Sequence, residues 1–310
     1  MSKQTIAVIG GGLMGAGIAQ CFATAGYRVR IQEPMAQVRE ALPERLRASL
    51  AQLGDDVNAA DLVSVHESLP EAVGDADFVT EAAPEILALK QAIFGQLTAH
   101  APRHAILASN TSVMPIGSIV AGLDTQHRMV GTHWWNPATL IPLVEVVQGT
   151  TTSAETVTAT VALLRAIGKK PAHIRKDVAG FVANRLQHAL WREAIAMVAE
   201  EICDARTLDD CVKNSFGLRL AVLGPLENAD LIGLDLTRDI HRTVIPELNR
   251  DAGSNPLLDE LIAKGRLGFK SGEGFQSWDQ AAQAELRQRL VDHLVAARVS
   301  ARASADSTLT

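Results

Sequence analysis

Apolar and polar positions follow two different periods in the first part of the chain. Continuous apolar runs at Thr5–Ile9, Arg28–Gln32, Asp77–Ala83 and Ala105–Ser109 read as short strands buried on both faces. Between them lie stretches of helical composition: Ala16–Ala25, the charged segment Ala36–Val63 and the amphipathic segment Ile86–His100. Two more strand-like runs, within Gly131–Gly149, flank the turn signal Asn136-Pro137. A helical run at Ala154–Ile167 and a strand at Lys170–Arg175 follow. Strands and helices alternating in units of this size predict an α/β domain with a parallel, doubly wound sheet, whose ligands sit at the carboxyl ends of the strands.

The period then changes. Lys176–Gly180 reads as a hinge-like link, Phe181–Glu200 is a long helical run without breakers, and no convincing strand comes after it. The expected organisation is a first domain over residues 1–178 and an all-helical C-terminal domain over 179–310. Ser300–Thr310 is small and polar and is expected to be frayed. No internal repeat or low-complexity tract is evident.

Composition narrows the function classes. An apolar content of 47% over 310 residues fills real cores, and a net charge of −6 with both signs interspersed argues against nucleic acid as a partner. No apolar run is long enough to span a membrane and no apolar signal region precedes Thr5, so the expectation is a cytoplasmic protein acting on a small molecule. Cys21, Cys203 and Cys211 have neither metal-ligand spacing nor an even disulfide framework, and no metal site is expected.

The strongest local motif is Gly10-Gly-Gly-Leu-Met-Gly15 between a strand and a helix. In a G-x-G-x-x-G turn of this kind Gly10 makes the tight bend, Gly12 lets backbone approach a pyrophosphate, and Gly15 permits close helix–strand packing. The helix N-terminus receives the phosphate charge. The second strand ends at Glu33, where a carboxylate accepts from both ribose hydroxyls and repels a 2′-phosphate, which favours NAD over NADP. A glycine-rich turn without a ligand is the weaker reading.

His133 and Glu145 lie twelve residues apart on either side of Asn136-Pro137. If adjacent strand ends bring them together, they form an imidazole–carboxylate pair suited to removing a proton from a hydroxyl; a buried structural pair is the alternative. The other strand-end polar residues are Glu81, Glu85, Asn110 and Ser112. Ser112 is placed to serve as a helix cap before Pro115, as a ligand, or as both. Asn184, in the first turns of the long helix, is placed either to reach a cleft or simply to be solvated.

In combination these motifs resemble the L-3-hydroxyacyl-CoA dehydrogenase family over nearly the whole chain. The matching signatures, in the family's order, are the glycine fingerprint, Asn110-Thr-Ser112, His133-Trp-Trp-Asn136-Pro137, Val144-Glu145-Val, Gly180-Phe-Val-Ala-Asn184-Arg, Gly224-Pro-Leu-Glu227 and the loop Gly268-Phe-Lys-Ser-Gly-Glu-Gly-Phe275. The resemblance implies a Rossmann-type first domain, a catalytic His133 oriented by Glu145, and substrate-oxygen contacts from Ser112 and Asn184. It implies NAD contacts from Gly10, Gly12, Leu13, Met14, Gly15, Glu33, Glu85, Lys90, Asn110, Asn136 and Lys270. It further implies a homodimer built on the helical domain and a reaction that interconverts a 3-hydroxyacyl compound and its 3-keto form.

The departures from the family bear on the substrate. Trp134-Trp135 stand where the family usually has Phe-Phe, and Pro142 where it has Lys. The segment corresponding to the family's coenzyme A grip, Ala36–Val63, has no lysine, and none occurs between Lys3 and Lys90. A coenzyme A tail carries several negative charges that call for cations. Ile141–Glu145 and Gly217–Glu227 are similar instead to relatives acting on free hydroxy acids or alcohols, such as gulonate, carnitine or pyridine derivatives. Arg219 is then a candidate for a substrate carboxylate, with a surface arginine as the equal alternative. A non-catalytic dinucleotide-binding protein is the reading from another class; the set Ser112, His133, Glu145 and Asn184 argues against it.

Overall fold

The computed structural model describes the backbone of residues 3–307 and side chains up to residue 300. Contacts divide it into a first unit, residues up to Asn184 together with those from His293 onward, and a second, Arg185–Asp292.

The first unit opens with β1 (Thr5–Ile9), α1 (Leu13–Thr24) and β2 (Arg28–Gln32), then α2 (Ala36–Gln52), β3 (Val63–His66), α3 (Leu69–Val73), β4 (Phe78–Glu81), α4 (Leu87–His100) and β5 (Ile106–Ser109). Next come α5 (Ile116–Ile119), β6 (Met129–Trp134), β7 (Leu143–Val147), α6 (Ala154–Ala166) and β8 (Lys170–Ile174), and α7 (Ala183–Ala199) begins at its edge. The eight strands form one sheet in the order β3-β2-β1-β4-β5-β6-β7-β8. Strand order reverses on either side of β1 and β4, so the carboxyl ends of these neighbours frame the crevice in which such sheets take ligands.

Successive β1 side chains feed opposite layers. Ile6 and Val8 join Phe22, Val29, Leu42, Leu46 and Leu164 on one face, while Ala7 and Ile9 join Val79, Phe94, Leu97, Leu107 and Phe181 on the other. This period of two with both sets apolar is why β1 reads as an unbroken hydrophobic run.

The sheet differs from the sequence expectation in two places. It is not all parallel: β7 runs antiparallel to β6. The connection between them, residues 135–142, is too short for the crossover of a dozen or more residues that parallel neighbours require. The segment Ala36–Val63 is not one helix either. It divides into α2, a 3₁₀ turn at Val57–Leu62 and the start of β3. β3 is an edge strand of four residues, one exposed and three half-buried, so it carries little apolar signal.

The longer elements of the second unit are helices: the rest of α7, then α8 (Ala205–Lys213), α9 (Pro225–Ile232), α10 (Leu234–Val244), α11 (Pro256–Ala263) and the first part of α12 (Gln280–Ser307), with isolated β-bridges only in the loop before α12, Gly268 to Glu273 and Glu273 to Ser277. The tail expected to fray continues as helix to Ser307, and residues 308–310 lie outside the described residues. The later part of α12 belongs to the first unit, where Arg298 forms an ion pair with Asp55.

Candidate active site

The glycine turn connects β1 to α1 at the carboxyl edge of the sheet. Gly10 has φ +102°, and its N–H donates to Gln32 O at 2.8 Å. A Cβ on Gly10 would lie 2.9 Å from Ala82 O, and one on Gly15 would lie 1.8 Å from Gly10 O, so both positions demand glycine. Gly12 is different: a Cβ there meets nothing within 4 Å. It opens α1, whose first turn holds no acidic residue and no side-chain cap, leaving the positive end of the helix to a ligand's phosphates. Leu13 is exposed at this end and Met14 packs against the core. Glu33 stands behind the turn, its carboxylate accepting from Gly11 N at 2.8 Å and Met35 N at 2.9 Å. Each oxygen has a further lone pair for a ribose hydroxyl. The cradle therefore fits a dinucleotide.

Next to it, at the end of β4, lies a charge cluster whose centre, Glu81 and Lys90, is buried while Glu85 reaches the surface. Lys90 is 0% exposed, and its ammonium donates to Glu81 Oε1 at 2.8 Å and lies 3.3 Å from Glu85 Oε2. Ser109 donates to the other Glu81 oxygen at 2.6 Å. Glu85 accepts in turn from the Thr111 hydroxyl and from Ser112 N at 3.1 Å. Burial raises the Glu85 pKa, but the Thr111 hydrogen bond, the Lys90 charge and the backbone N–H groups bring it below the ordinary carboxylate value. Lys90 is thus placed as the internal partner of two carboxylates, and the loop from Asn110 to Val113 is held from below. Asn110 accepts from Trp134 N at 2.9 Å, which fixes this loop to the end of β6.

His133 and Glu145 are register partners across β6 and β7. Their side chains meet at 2.7 Å, Nδ1 to Oε2, with 4% and 1% of each exposed. The second carboxylate oxygen accepts from Val182 N at 3.0 Å and Ala183 N at 3.1 Å, at the start of α7. Burial pushes the Glu145 carboxyl up. Hydrogen bonds from His133, Ala183 and Val182, together with the imidazole's charge when protonated, more than offset this and hold it below the ordinary value. A nearby imidazole therefore has an ionised partner on Nδ1 and keeps Nε2 for proton exchange. Trp135 and Phe181 pack against the imidazole, with ring centroids at 5.2 and 5.6 Å.

Asn184 Nδ2 donates to Ser112 O at 2.9 Å, and Asn184 is buried while Ser112 is exposed. One Asn184 N–H and the Ser112 hydroxyl are left for a substrate oxygen. The bonded contacts thus join Ser112, Asn184, Glu145 and His133 into one connected group.

Residues 5–178 match the description "3-hydroxyacyl-CoA dehydrogenase, NAD binding domain", and residues 180–278 match "3-hydroxyacyl-CoA dehydrogenase, C-terminal domain". The chain belongs to the 3-hydroxyacyl-CoA dehydrogenase family. It is an NAD-dependent dehydrogenase acting on a hydroxyl group. Among its relatives is the 5-formyl-3-hydroxy-2-methylpyridine 4-carboxylate 5-dehydrogenase of Mesorhizobium japonicum, 34% identical over 93% of this chain and 96% of the relative. A probable 3-hydroxybutyryl-CoA dehydrogenase of Bacillus subtilis is 36% identical over 90% and 99%. A crystal structure of a 5-formyl-3-hydroxy-2-methylpyridine 4-carboxylic acid 5-dehydrogenase, described as an NAD+-dependent dismutase, superposes with a TM-score of 0.88 at 32% identity, covering 96% of this chain and 98% of that one.

Three further sequence candidates stand on other segments. Asn136 is exposed in the β6–β7 connection. Arg219 and Lys270 belong to the second unit, Arg219 just after a 3₁₀ turn and Lys270 in the glycine-rich loop, and both are exposed. Sequence reasoning left three neighbours of the family's site without a role. Glu81 was visible as a strand-end carboxylate, but its buried lysine partner was not. Phe181 was quoted within a motif; nothing in sequence showed that it adopts φ +50°, a left-handed conformation that costs a bulky residue about 1–2 kcal/mol. Lys169 is buried with no carboxylate bonded to it among the described residues, donating to Ala138 O and to Ile141 O at 3.0 Å with its ammonium 5.3 Å from the Trp134 ring centroid. It pins the connection that carries Asn136.

Proposed function

We propose that this member of the 3-hydroxyacyl-CoA dehydrogenase family interconverts a hydroxy acid and its keto form, with His133 as the general base. The observation that carries this reading is the 2.7 Å contact between His133 and Glu145 at the same sheet edge as the glycine cradle. His133 Nε2 takes the hydroxyl proton, and Glu145, kept ionised, balances the imidazolium. The Ser112 hydroxyl and the Asn184 amide hold the oxygen as its bond to carbon shortens. NAD supplies the hydride acceptor. In the reverse direction His133 returns the proton.

The substrate is proposed to be a small free acid, not a coenzyme A thioester. Arg39 and Arg47, two of the three cations of α2, are already paired with Glu67 at 2.8 Å and Asp61 at 2.9 Å. A tail of several phosphates would have to break those pairs. The likeness to a dehydrogenase named for a pyridine carboxylate supports the same choice. The thioester reading keeps its place through the Bacillus subtilis relative, named for 3-hydroxybutyryl-CoA. The test is NADH oxidation with acetoacetyl-CoA against unthiolated 3-keto acids. A higher kcat/KM for a free acid is expected, and preference for acetoacetyl-CoA would restore the thioester.

The proposal includes a homodimer through the helical unit. Within Arg185–Asp292, Ala196 and Leu261 are the buried hydrophobic side chains among the described residues, while Val222 is 87% and Leu226 80% exposed. Leu218, Leu231 and Leu234 add to that apolar surface. A monomer rarely leaves so large an apolar area in water. Sedimentation at micromolar concentration should report twice the chain mass of 33.1 kDa, and a single-chain mass would refute the dimer.

A further inference from the structure

We propose that Phe181 is a positioning residue for the His133–Glu145 pair, an inference that rests on the general-base reading of that pair. Three observations converge on it. Gly180 and Phe181 both adopt left-handed backbone conformations, φ +72° and +50°. The two N–H groups that follow, of Val182 and Ala183, then point together at one oxygen of Glu145, at 3.0 and 3.1 Å. Consecutive N–H groups turned to the same side make a concave anion site, here filled by the protein's own carboxylate. The Phe181 ring, 1% exposed, packs 5.6 Å from the His133 ring.

A glycine would adopt φ +50° without strain, so the turn alone does not account for phenylalanine at this position. The side chain adds the second constraint. Its backbone steers the carboxylate while its ring, with Trp135 on its own contact at 5.2 Å, borders the imidazole. One residue thereby sets both halves of the pair. The ring also covers the imidazole on that side, so the imidazole has less room to turn away from Glu145. Among the described residues, Glu145 on β7 is the one charged group bonded to His133; Trp135 and Phe181 are neutral.

The test uses Phe181→Leu and Phe181→Gly in the full chain, with Phe181→Tyr as the variant that keeps the ring. The direct readout is the ¹H NMR resonance of the His133 ring N–H bonded to Glu145 in ¹⁵N-histidine-labelled protein, assigned with His133→Gln; it needs no substrate. In the Leu and Gly variants that resonance is expected to move upfield and broaden, because the imidazole is no longer held against the carboxylate. Turnover of NADH with the better substrate is expected to fall about 10-fold or more, as misplacement of a reacting group does, while NADH affinity by fluorescence stays unchanged. Phe181→Tyr should restore both. Should Leu lower the folded yield, Phe181→Met gives the same comparison. A His133 ring N–H resonance and turnover equal to the parent's in the ringless variants would reduce Phe181 to a core residue. If instead His133→Gln itself turns over like the parent, it is the general-base reading that fails.

Discussion

Gly15 lies so close to Gly10 that a methyl group on it would sit 1.8 Å from the Gly10 carbonyl oxygen, while Gly12 between them borders open space. The two glycines therefore do different work. Gly12→Ala is expected to fold with the parent's melting temperature yet bind NADH at least about 10-fold more weakly, since the methyl occupies room meant for the pyrophosphate. Gly15→Ala should lower the melting temperature as well, because backbone must move. Fluorescence titration and thermal denaturation of both variants check this, and equal melting temperatures for the two would refute it.

The Glu81–Lys90 pair has no accessible surface at either side chain. Lys90→Met leaves Glu81 charged and buried, which costs about 3–5 kcal/mol of stability. Adding Glu81→Gln removes the stranded charge, so the double variant should be more stable than Lys90→Met alone. Denaturant unfolding of the double-mutant cycle measures the difference.

Glu85 and Glu145 both have carboxyl groups held below the ordinary value of 4.5. A depressed carboxyl binds its proton less readily in the folded state than in the unfolded one. The stability it contributes is therefore complete above about pH 5 and lost as pH falls through the folded value. Thermal melts from pH 7 to pH 3 should show a declining melting temperature below about pH 5. In Glu85→Gln that decline should be shallower, since one of the linked protons is gone.

Much of this was legible in sequence because local pattern carried it. The run Thr5–Ile9 before Gly10, and Glu33 at the end of the second run, located the cradle, since each feature depends on neighbours within a strand–turn–helix unit. The meeting of His133 and Glu145 follows from two short apolar runs joined by a turn. That turn's brevity also held the clue to their antiparallel pairing, which the parallel expectation overrode. What could not be read depends on distant contacts. Lys90 is expected from the resemblance as an NAD contact, and nothing local shows that it is buried against Glu81, nine positions earlier. The edge strand β3 lacks a buried face, and the grip of Val182 and Ala183 on Glu145 depends on a left-handed phenylalanine that no residue preference announces.

The central claim is that His133 carries the proton. It is tested most directly by His133→Gln in single-turnover oxidation of bound NADH, with NADH affinity measured on the same preparation. The rate constant is expected to fall by about 10²–10⁴-fold while affinity stays near the parent's. A His133→Gln protein that oxidises NADH at close to the parent rate would contradict the account.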